Sequence, residues 1–392
     1  MHLVRAGFDV TLVDRLDPGE ATSFGNAGVL ASHGVVPAAT PGILKKIPGM
    51  LFDPMEPLSL RWPYAAGMLP WFWKYLRNTT PDRVAHISDA LALLTLDTVE
   101  QHKALAKGTA AEDLIKTIPA LNLYRDEQAY KADGYGWEIR RKHNARSTIL
   151  QGSDLADYDP CLSTEFSFGV LMDDYGYVID PGRMVKGLAA AFEAAGGKII
   201  KAEVNDIKIV DGRPEHLVLT GETIRFDQMV IAAGAWSVKL TKKLGSVLPL
   251  ETERGYHLTL TNPGIMPKSP VMGNNFIATP MSMGLRFAGL VEFGGLDTPP
   301  DYARAETFLK HAKTLFPDVQ TKDYTTWMGY RPTLPDCLPV IGASPNFSNV
   351  YFAFGHQHLG LTMGPKTGKI IADLMQGKKP NIDLSPFRVD RF

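Results

Sequence analysis

The front of the chain carries the feature that most constrains its fold. Residues 2–6 read as the last turn of a helix, and Gly7 supplies a left-handed stop after it. Residues 10–13 form a short, apolar, β-branched run, the pattern of a parallel strand buried on both faces. Asp14 follows at once. In a dinucleotide-binding βαβ unit, an acid in this place accepts hydrogen bonds from ribose hydroxyls. The glycine fingerprint of such a unit belongs about 20 residues earlier, before Met1. The expectation is a unit entered inside its first helix: either an upstream start precedes Met1 or the phosphate loop has been lost. Asp14 alone also fits any α/β unit that ends a strand with Asp.

Composition narrows the alternatives. The 392 residues suggest two or three domains, with about 150 residues to a domain. Apolar residues at 45% and charged residues at 21% exclude disorder as the main state. With 41 Lys plus Arg against 42 Asp plus Glu, no basic face is implied and nucleic acid is a poor partner. Two cysteines, Cys161 and Cys337, cannot build a disulfide framework or a four-thiolate metal site. A reducing cytoplasm fits this usage. No secretory apolar segment follows Met1. The longest stretch without Asp, Glu, Lys or Arg is 21–44, which contains Asn26, His33, two prolines and four glycines. It reads as a buried loop and not as a membrane helix. The aromatic run Trp71, Phe72, Trp73 and Tyr75 reads as core, with a membrane anchor as the alternative.

Further along, Asp180-Pro181 starts a helix, Asp as N-cap and Pro in the first turn. Met184, Val185, Leu188, Ala189 and Phe192 form its apolar face, and Gly196-Gly197 stops it. Strand-like runs follow at 199–204, 207–210 and 217–220, and 229–232 ends in Ala233-Gly234-Ala235-Trp236. Alternating strands dominate 248–293. A helix is expected from 303 to 316, a strand at 350–354, and a last helix from near Pro365.

Four groups of segments then line up: VTLVDR (10–15), SFGNAG (23–28), MVIAAGAW (229–236), and WMGYRPTLPDCLPVIG (327–342) with FAFGHQHLGLTMGPKTG (352–368). Together they resemble the FAD-dependent D-amino acid oxidase superfamily, nearest its bacterial D-amino acid dehydrogenase branch, over nearly the whole chain. The resemblance implies an α/β fold: a Rossmann-like FAD-binding domain, incomplete at its N-terminus, interleaved with an antiparallel-sheet substrate domain. The expected FAD-binding domain takes 1–50, 176–247 and 326–392, and the substrate domain 51–175 and 248–325.

The resemblance also assigns residues. FAD contacts are expected from Asp14, Arg15, Ser23, Asn26, Ala27, Gly28, Val204, Ala233, Gly234, Trp236, Gly329, Gly355, Leu359, Gly360, Leu361 and Thr362. Small residues let backbone N–H groups approach phosphate or flavin, and the start of the last helix offers free N–H groups to the flavin. SFGNAG by itself is an ordinary turn, and Val204 a plain strand residue. Arg331, in the G-x-R-P segment, is the expected holder of the substrate carboxylate, because arginine binds carboxylates bidentately. The alternative is a structural pair with Asp336. Leu334 departs from the threonine that many relatives carry there. Tyr256 is expected to line the substrate site with a catalytic part, and Arg286 and His356 to border it. Packing for Tyr256 and a structural role for Arg286 stand as alternatives. No metal site is expected, since His356 and His358 lack a third ligand nearby.

The implied reaction is oxidative deamination of a D-amino acid or cyclic imino acid, with hydride passing from Cα to flavin N5. The imino acid formed hydrolyses to a 2-oxo acid. The partner is a small amino acid substrate; the electron acceptor is left open by the sequence, with a quinone or an electron-transfer protein among the options. Localisation is expected to be cytoplasmic, with at most peripheral contact with the inner membrane. One alternative is an oxidase of glycine, sarcosine or another secondary amine. The other is a flavin-free binding protein without the phosphate loop.

Overall fold

The computed structural model describes residues 1–43, 49, 58–273 and 276–392. The expected domain boundary at 50/51 lies outside these residues. The front end folds as anticipated in outline. Helix His2–Arg5 ends at Gly7, whose φ is +89°, and strand Thr11–Asp14 follows. That strand pairs in parallel with Lys198–Lys201. It is not buried on both faces: Leu12 is 45% exposed. Among the described residues the strand has a hydrogen-bonded neighbour on one side alone, so its other edge opens onto a cavity.

The helix after Asp180 forms as its cap predicts. It spans Pro181–Ala194, and the Asp180 carboxylate accepts the Arg183 N–H at 2.9 Å. A meander of Val204–Val210, Arg213–Leu219 and Thr223–Arg225 leads to Met229–Ile231. This last strand pairs in parallel with Val350–Phe354, which also pairs antiparallel with Val340–Ala343. These parallel strands end at Ile231 and Phe354, which places the turns carrying Ala233 and Gly355 at one end of the layer, facing the cavity.

The second layer is a nine-stranded, mostly antiparallel sheet. Tyr324–Thr333 forms one edge, Glu251–Leu260 lies beside it, and Gly284–Phe293 follows. The helix Ala303–Leu315 covers one face, burying Phe308, Ala312 and Leu315 against Tyr256, Leu258 and Phe287. The other face turns towards the cavity. Residues 29–37 run buried or half-buried, as the loop reading of this stretch expects, with Val29–Leu30 paired to Gly176–Val178. No described helix is long and apolar enough to cross a membrane.

Two further elements differ from expectation. The last helix begins at Gly360, not near Pro365, and runs to Met375. Pro365 sits inside it, where its ring removes one backbone bond without ending the helix. The helix Trp62–Leu76 is apolar nearly all round. It buries Met68 and Trp71, yet leaves Trp62, Leu69 and Trp73 exposed by 68%, 67% and 66%.

Candidate active site

The two layers enclose a cavity of about 2420 Å³. It runs from Asp14, Arg15 and Val204 past Ser23, Asn26 and Ala27 to Arg331, and Ala233, Gly234, Trp236, Gly329, Gly355, Leu359, Gly360, Leu361 and Thr362 line it as well. Nearly all the residues expected at a cofactor are therefore brought to one place.

Local chemistry explains several of these positions. The Asp14 carboxylate accepts the Leu16 N–H at 2.9 Å, which turns the chain out of the strand. The Arg15 guanidinium carbon lies 3.7 Å from the centre of the Trp236 ring, a cation–π contact that ties the acid-bearing turn to the turn after Ala233. Trp236 also meets Tyr330 edge-on at 5.2 Å. At the far end, the helix Gly360–Met375 has no side-chain cap, so its first N–H groups face the cavity with the positive end of its dipole. Thr362 is committed elsewhere: its hydroxyl meets Val29 and Ala31 at 3.3 Å each, holding the Val29–Leu30 strand.

The loop 23–28 is clamped from the sheet. Arg286 donates to the carbonyls of Phe24 and Asn26 at 2.9 and 2.8 Å, and to the Thr259 hydroxyl at 3.2 Å. Burial lowers this guanidinium to about 10. Arg286 therefore braces the loop instead of bordering the substrate space, because its donors are spent on loop carbonyls. His257 Nδ1 meets the Gly25 carbonyl at 3.0 Å, and burial lowers this histidine to about 3, with Arg286 adding to the effect. Its ring stacks on Trp327 at 5.3 Å. Trp327 in turn fills the space that a Cβ at Gly25 or Gly329 would need. Gly28 is set by packing: its φ is +76°, and a Cβ there would overlap the Val178 carbonyl. Neither His257 nor Trp327 was singled out from sequence for this task. Trp327 at one end of the G-x-R-P segment was the available signal.

The strand register sorts the remaining residues. Glu253, Gly255 and His257 pair with Arg331, Gly329 and Trp327, so all six share one face. Arg331 donates to the Leu290 carbonyl at 2.9 Å, and its guanidinium lies against Gly255, where a Cβ would overlap it. Asp336 does not hold Arg331. It accepts Arg391 at 2.6 and 3.2 Å in a buried pair. Arg331 is thus anchored by one carbonyl and left facing the cavity.

Tyr256 is one residue out of step with that face. Its hydroxyl donates to Glu292 at 3.1 Å and accepts the Asp301 N–H at 3.0 Å, while Glu292 also pairs with the fully buried Arg254 at 2.8 Å. With both bonds made, the phenol is held by the packing against Ala303–Leu315, although the residue also lines the cavity. His356 lines the cavity too, with its ring nitrogen taken up within the fold. Its Nε2 meets the Thr367 hydroxyl at 3.0 Å, and burial lowers it to about 4. His358 opens to the cavity; loss of bulk solvent there lowers it to about 4, and the Arg331 charge adds to this. The far wall is aromatic, with Trp71 stacked on Tyr75 at 5.3 Å beside Phe72 and Phe293. Among the described residues no cluster could hold a metal ion.

An elongated cavity that begins at a strand-ending acid, passes a glycine-rich loop and ends under an uncapped helix start suits an extended dinucleotide. An arginine faces the same space. These features define a protein built to hold an extended nucleotide, with an arginine in the wall of the same cavity.

The comparisons make this specific. Residues 1–374 match the FAD dependent oxidoreductase family, and the chain belongs to it. A D-amino-acid oxidase of Bradyrhizobium diazoefficiens is 38% identical, the alignment covering 100% of this chain and 95% of that protein. Among solved structures, glycine oxidase from Bacillus cereus matches with a TM-score of 0.72 at 20% identity, over 100% of this chain and 94% of the other. L-amino acid deaminase from Proteus vulgaris matches with a TM-score of 0.74 at 15% identity, over 100% and 93%. Likenesses this distant speak to the fold.

Proposed function

We propose that this chain dehydrogenates D-amino acids or cyclic imino acids, with Arg331 as the clamp for the substrate carboxylate. The observation that carries the reading is the placement of Arg331: anchored on the Leu290 carbonyl, relieved of Asp336 by Arg391, and facing the cavity. A half-buried arginine with donors open to a cavity favours an anionic ligand. The 38% identical D-amino-acid oxidase supports the D configuration.

The cavity residues fit FAD, with the Asp14 turn at its ribose end and the Gly360–Met375 helix start at its flavin end. FAD supplies the two-electron oxidation of the substrate when bound. The chain's own part is positioning. Arg331 fixes the carboxylate, the aromatic wall of Trp71 and Tyr75 excludes water, and the helix N–H groups favour negative charge beside them. The imino acid released hydrolyses in water to a 2-oxo acid and ammonia. We assign 1–50, 176–247 and 326–392 mainly to cofactor binding and the rest to the substrate side, with the strand Tyr324–Thr333, which carries Arg331, shared between them.

The acceptor is proposed to be a quinone or an electron-transfer protein met at a membrane surface, because Trp62, Leu69 and Trp73 form an exposed apolar stripe on one helix. The test of the whole reading is anaerobic bleaching of the bound flavin by a panel of D- and L-amino acids, paired with oxygen uptake. Bleaching by D-amino acids with little oxygen uptake supports a dehydrogenase. Rapid peroxide formation with glycine or sarcosine would favour the oxidase alternative, and a colourless protein the flavin-free one.

A further inference from the structure

Glu253 has no place in the function described so far. It is the register partner of Arg331 on the neighbouring strand, on the same face, and both line the cavity. Opposed strand partners hold their Cβ atoms about 4.5–5.5 Å apart. Yet the two make no direct ion pair, because Arg331 is drawn across Gly255 to the Leu290 carbonyl. The carboxylate is therefore within electrostatic reach of the arginine without being consumed by it. Burial raises the Glu253 carboxyl, while Arg331 and the Thr333 hydroxyl pull it the other way.

Its other neighbours supply no positive charge. Phe293 pairs with it from the strand Gly284–Phe293. The Tyr75 phenol and the Cys337 thiol both feel its charge, and burial pushes both up, so both are neutral at neutral pH. His358, nearer Arg331, is neutral as well. Among the described groups facing Glu253, Arg331 alone is cationic. A half-buried acid in this setting lacks a structural counter-ion of its own.

We propose that Glu253 receives the substrate amino group: next to Arg331 it completes a paired site for the carboxylate and ammonium of one zwitterion, and it takes the ammonium proton. The inference rests on the reading of Arg331 as the carboxylate clamp. The two charges of an α-amino acid hang from one carbon, so adjacent opposite charges on neighbouring strands match them. In the proton step one N–H bond of the ammonium breaks and one O–H bond forms on Glu253. The electron pair stays on nitrogen, and nothing is oxidised or reduced. The free lone pair is what lets nitrogen support the positive charge that develops at Cα. A carboxyl raised by burial is the better base for this at neutral pH.

The experiment uses the FAD-loaded protein and Glu253→Gln, with Glu253→Asp as the conservative variant. The first readout is calorimetric binding of propionate, a carboxylate without an amine. The parent should bind it weakly, because Glu253 finds no cation. Glu253→Gln should bind it at least tenfold more tightly, and Glu253→Asp should not. The second readout is the pH profile of flavin reduction by D-alanine and D-proline. Below the pKa of the substrate amine, Glu253→Gln should lose about tenfold in rate per pH unit, whereas the parent holds a plateau and Glu253→Asp recovers part of it. Unchanged propionate affinity together with an unchanged profile in Glu253→Gln overturns the proposal. If Arg331→Ala leaves propionate binding intact, the clamp reading itself fails, and the paired site falls with it.

Discussion

The guanidinium of Arg331 lies against Gly255, so that a Cβ at position 255 would overlap its central carbon. The glycine is the bed on which the arginine crosses one strand to reach the Leu290 carbonyl of the next. Gly255→Ala should push the guanidinium out of this path while leaving the cofactor end untouched. Displacement of a positioning group by about 1 Å costs roughly 100-fold in kcat/KM. Steady-state kinetics of Gly255→Ala with D-amino acids should show that loss with parental flavin content. Parental kinetics would mean that Arg331 has room to pass another way.

Arg331 itself gives a sharper expectation. Arg331→Ala should lower kcat/KM for flavin reduction by roughly two to four powers of ten, since clamping and alignment are lost together. Arg331→Lys keeps the charge but not the planar fork, and should recover little. Because Asp336 is already satisfied by Arg391, neither change should lower the melting temperature much. Stopped-flow reduction and a thermal scan read both. A large drop in stability with unchanged reduction would return Arg331 to a structural role.

At the other end, Asp14 is tested by titrating apoprotein with FAD. Asp14→Ala should weaken binding by about 1.5–3 kcal/mol, the range for hydrogen bonds to a charged group. Its carboxylate also accepts the Leu16 N–H, so Asp14→Asn serves as a control that keeps this bond. An unchanged dissociation constant in Asp14→Ala would show that the ribose end is held by other residues.

What sequence could and could not reveal follows from these cases. Strands and turns that carry glycine, proline and acid in fixed order were legible, because their backbone demands are local: Asp180 caps its helix and Gly7 ends another. The position of Arg331 was legible from its segment. The task of Arg286 was not, since its partners are carbonyls 260 or more residues away that no side-chain pattern announces. Tyr256 and Glu253 exchange places for a reason of parity. Along one strand alternate residues face opposite ways, and only the register with Tyr324–Thr333 shows that Glu253, not Tyr256, shares the Arg331 face.

The bracing of loop 23–28 predicts an acid-sensitive fold. His257 is held neutral, at about 3 against an ordinary 6.5. The unfolded chain therefore binds a proton below pH 6.5 that the folded chain refuses until near pH 3. Stability is full above 6.5 and falls as pH drops, by about 2 kcal/mol from this group at pH 5. His257→Asn removes the titration and should flatten the dependence of melting temperature on pH between 6.5 and 4. An identical slope in the variant would place the acid response elsewhere, with His356 as the next group to change.

The last prediction concerns the helix Trp62–Leu76. Trp62, Ala66, Leu69 and Trp73 recur at helical spacing and all are exposed, while Met68 and Trp71 on the opposite side are buried. Lys74 and Arg77 flank the exposed stripe, and no acid interrupts residues 62–76. Tryptophan beside basic residues suits the boundary between lipid headgroups and acyl chains. Fully burying one such side chain contributes about 1.5–3 kcal/mol. Replacing Trp62, Leu69 and Trp73 together by serine should therefore lower partitioning onto vesicles containing anionic lipid by about two powers of ten or more. Flavin reduction by substrate should stay at the parental rate, because Trp71 and Tyr75, on the other side, form the cavity wall. Reoxidation by a quinone dissolved in the vesicles should slow, while reoxidation by a soluble dye should not. Equal sedimentation of parent and variant with vesicles would reject the membrane surface as the occupant. If the variant instead converts a dimer to a monomer in solution, a second copy of the chain is what covers this face.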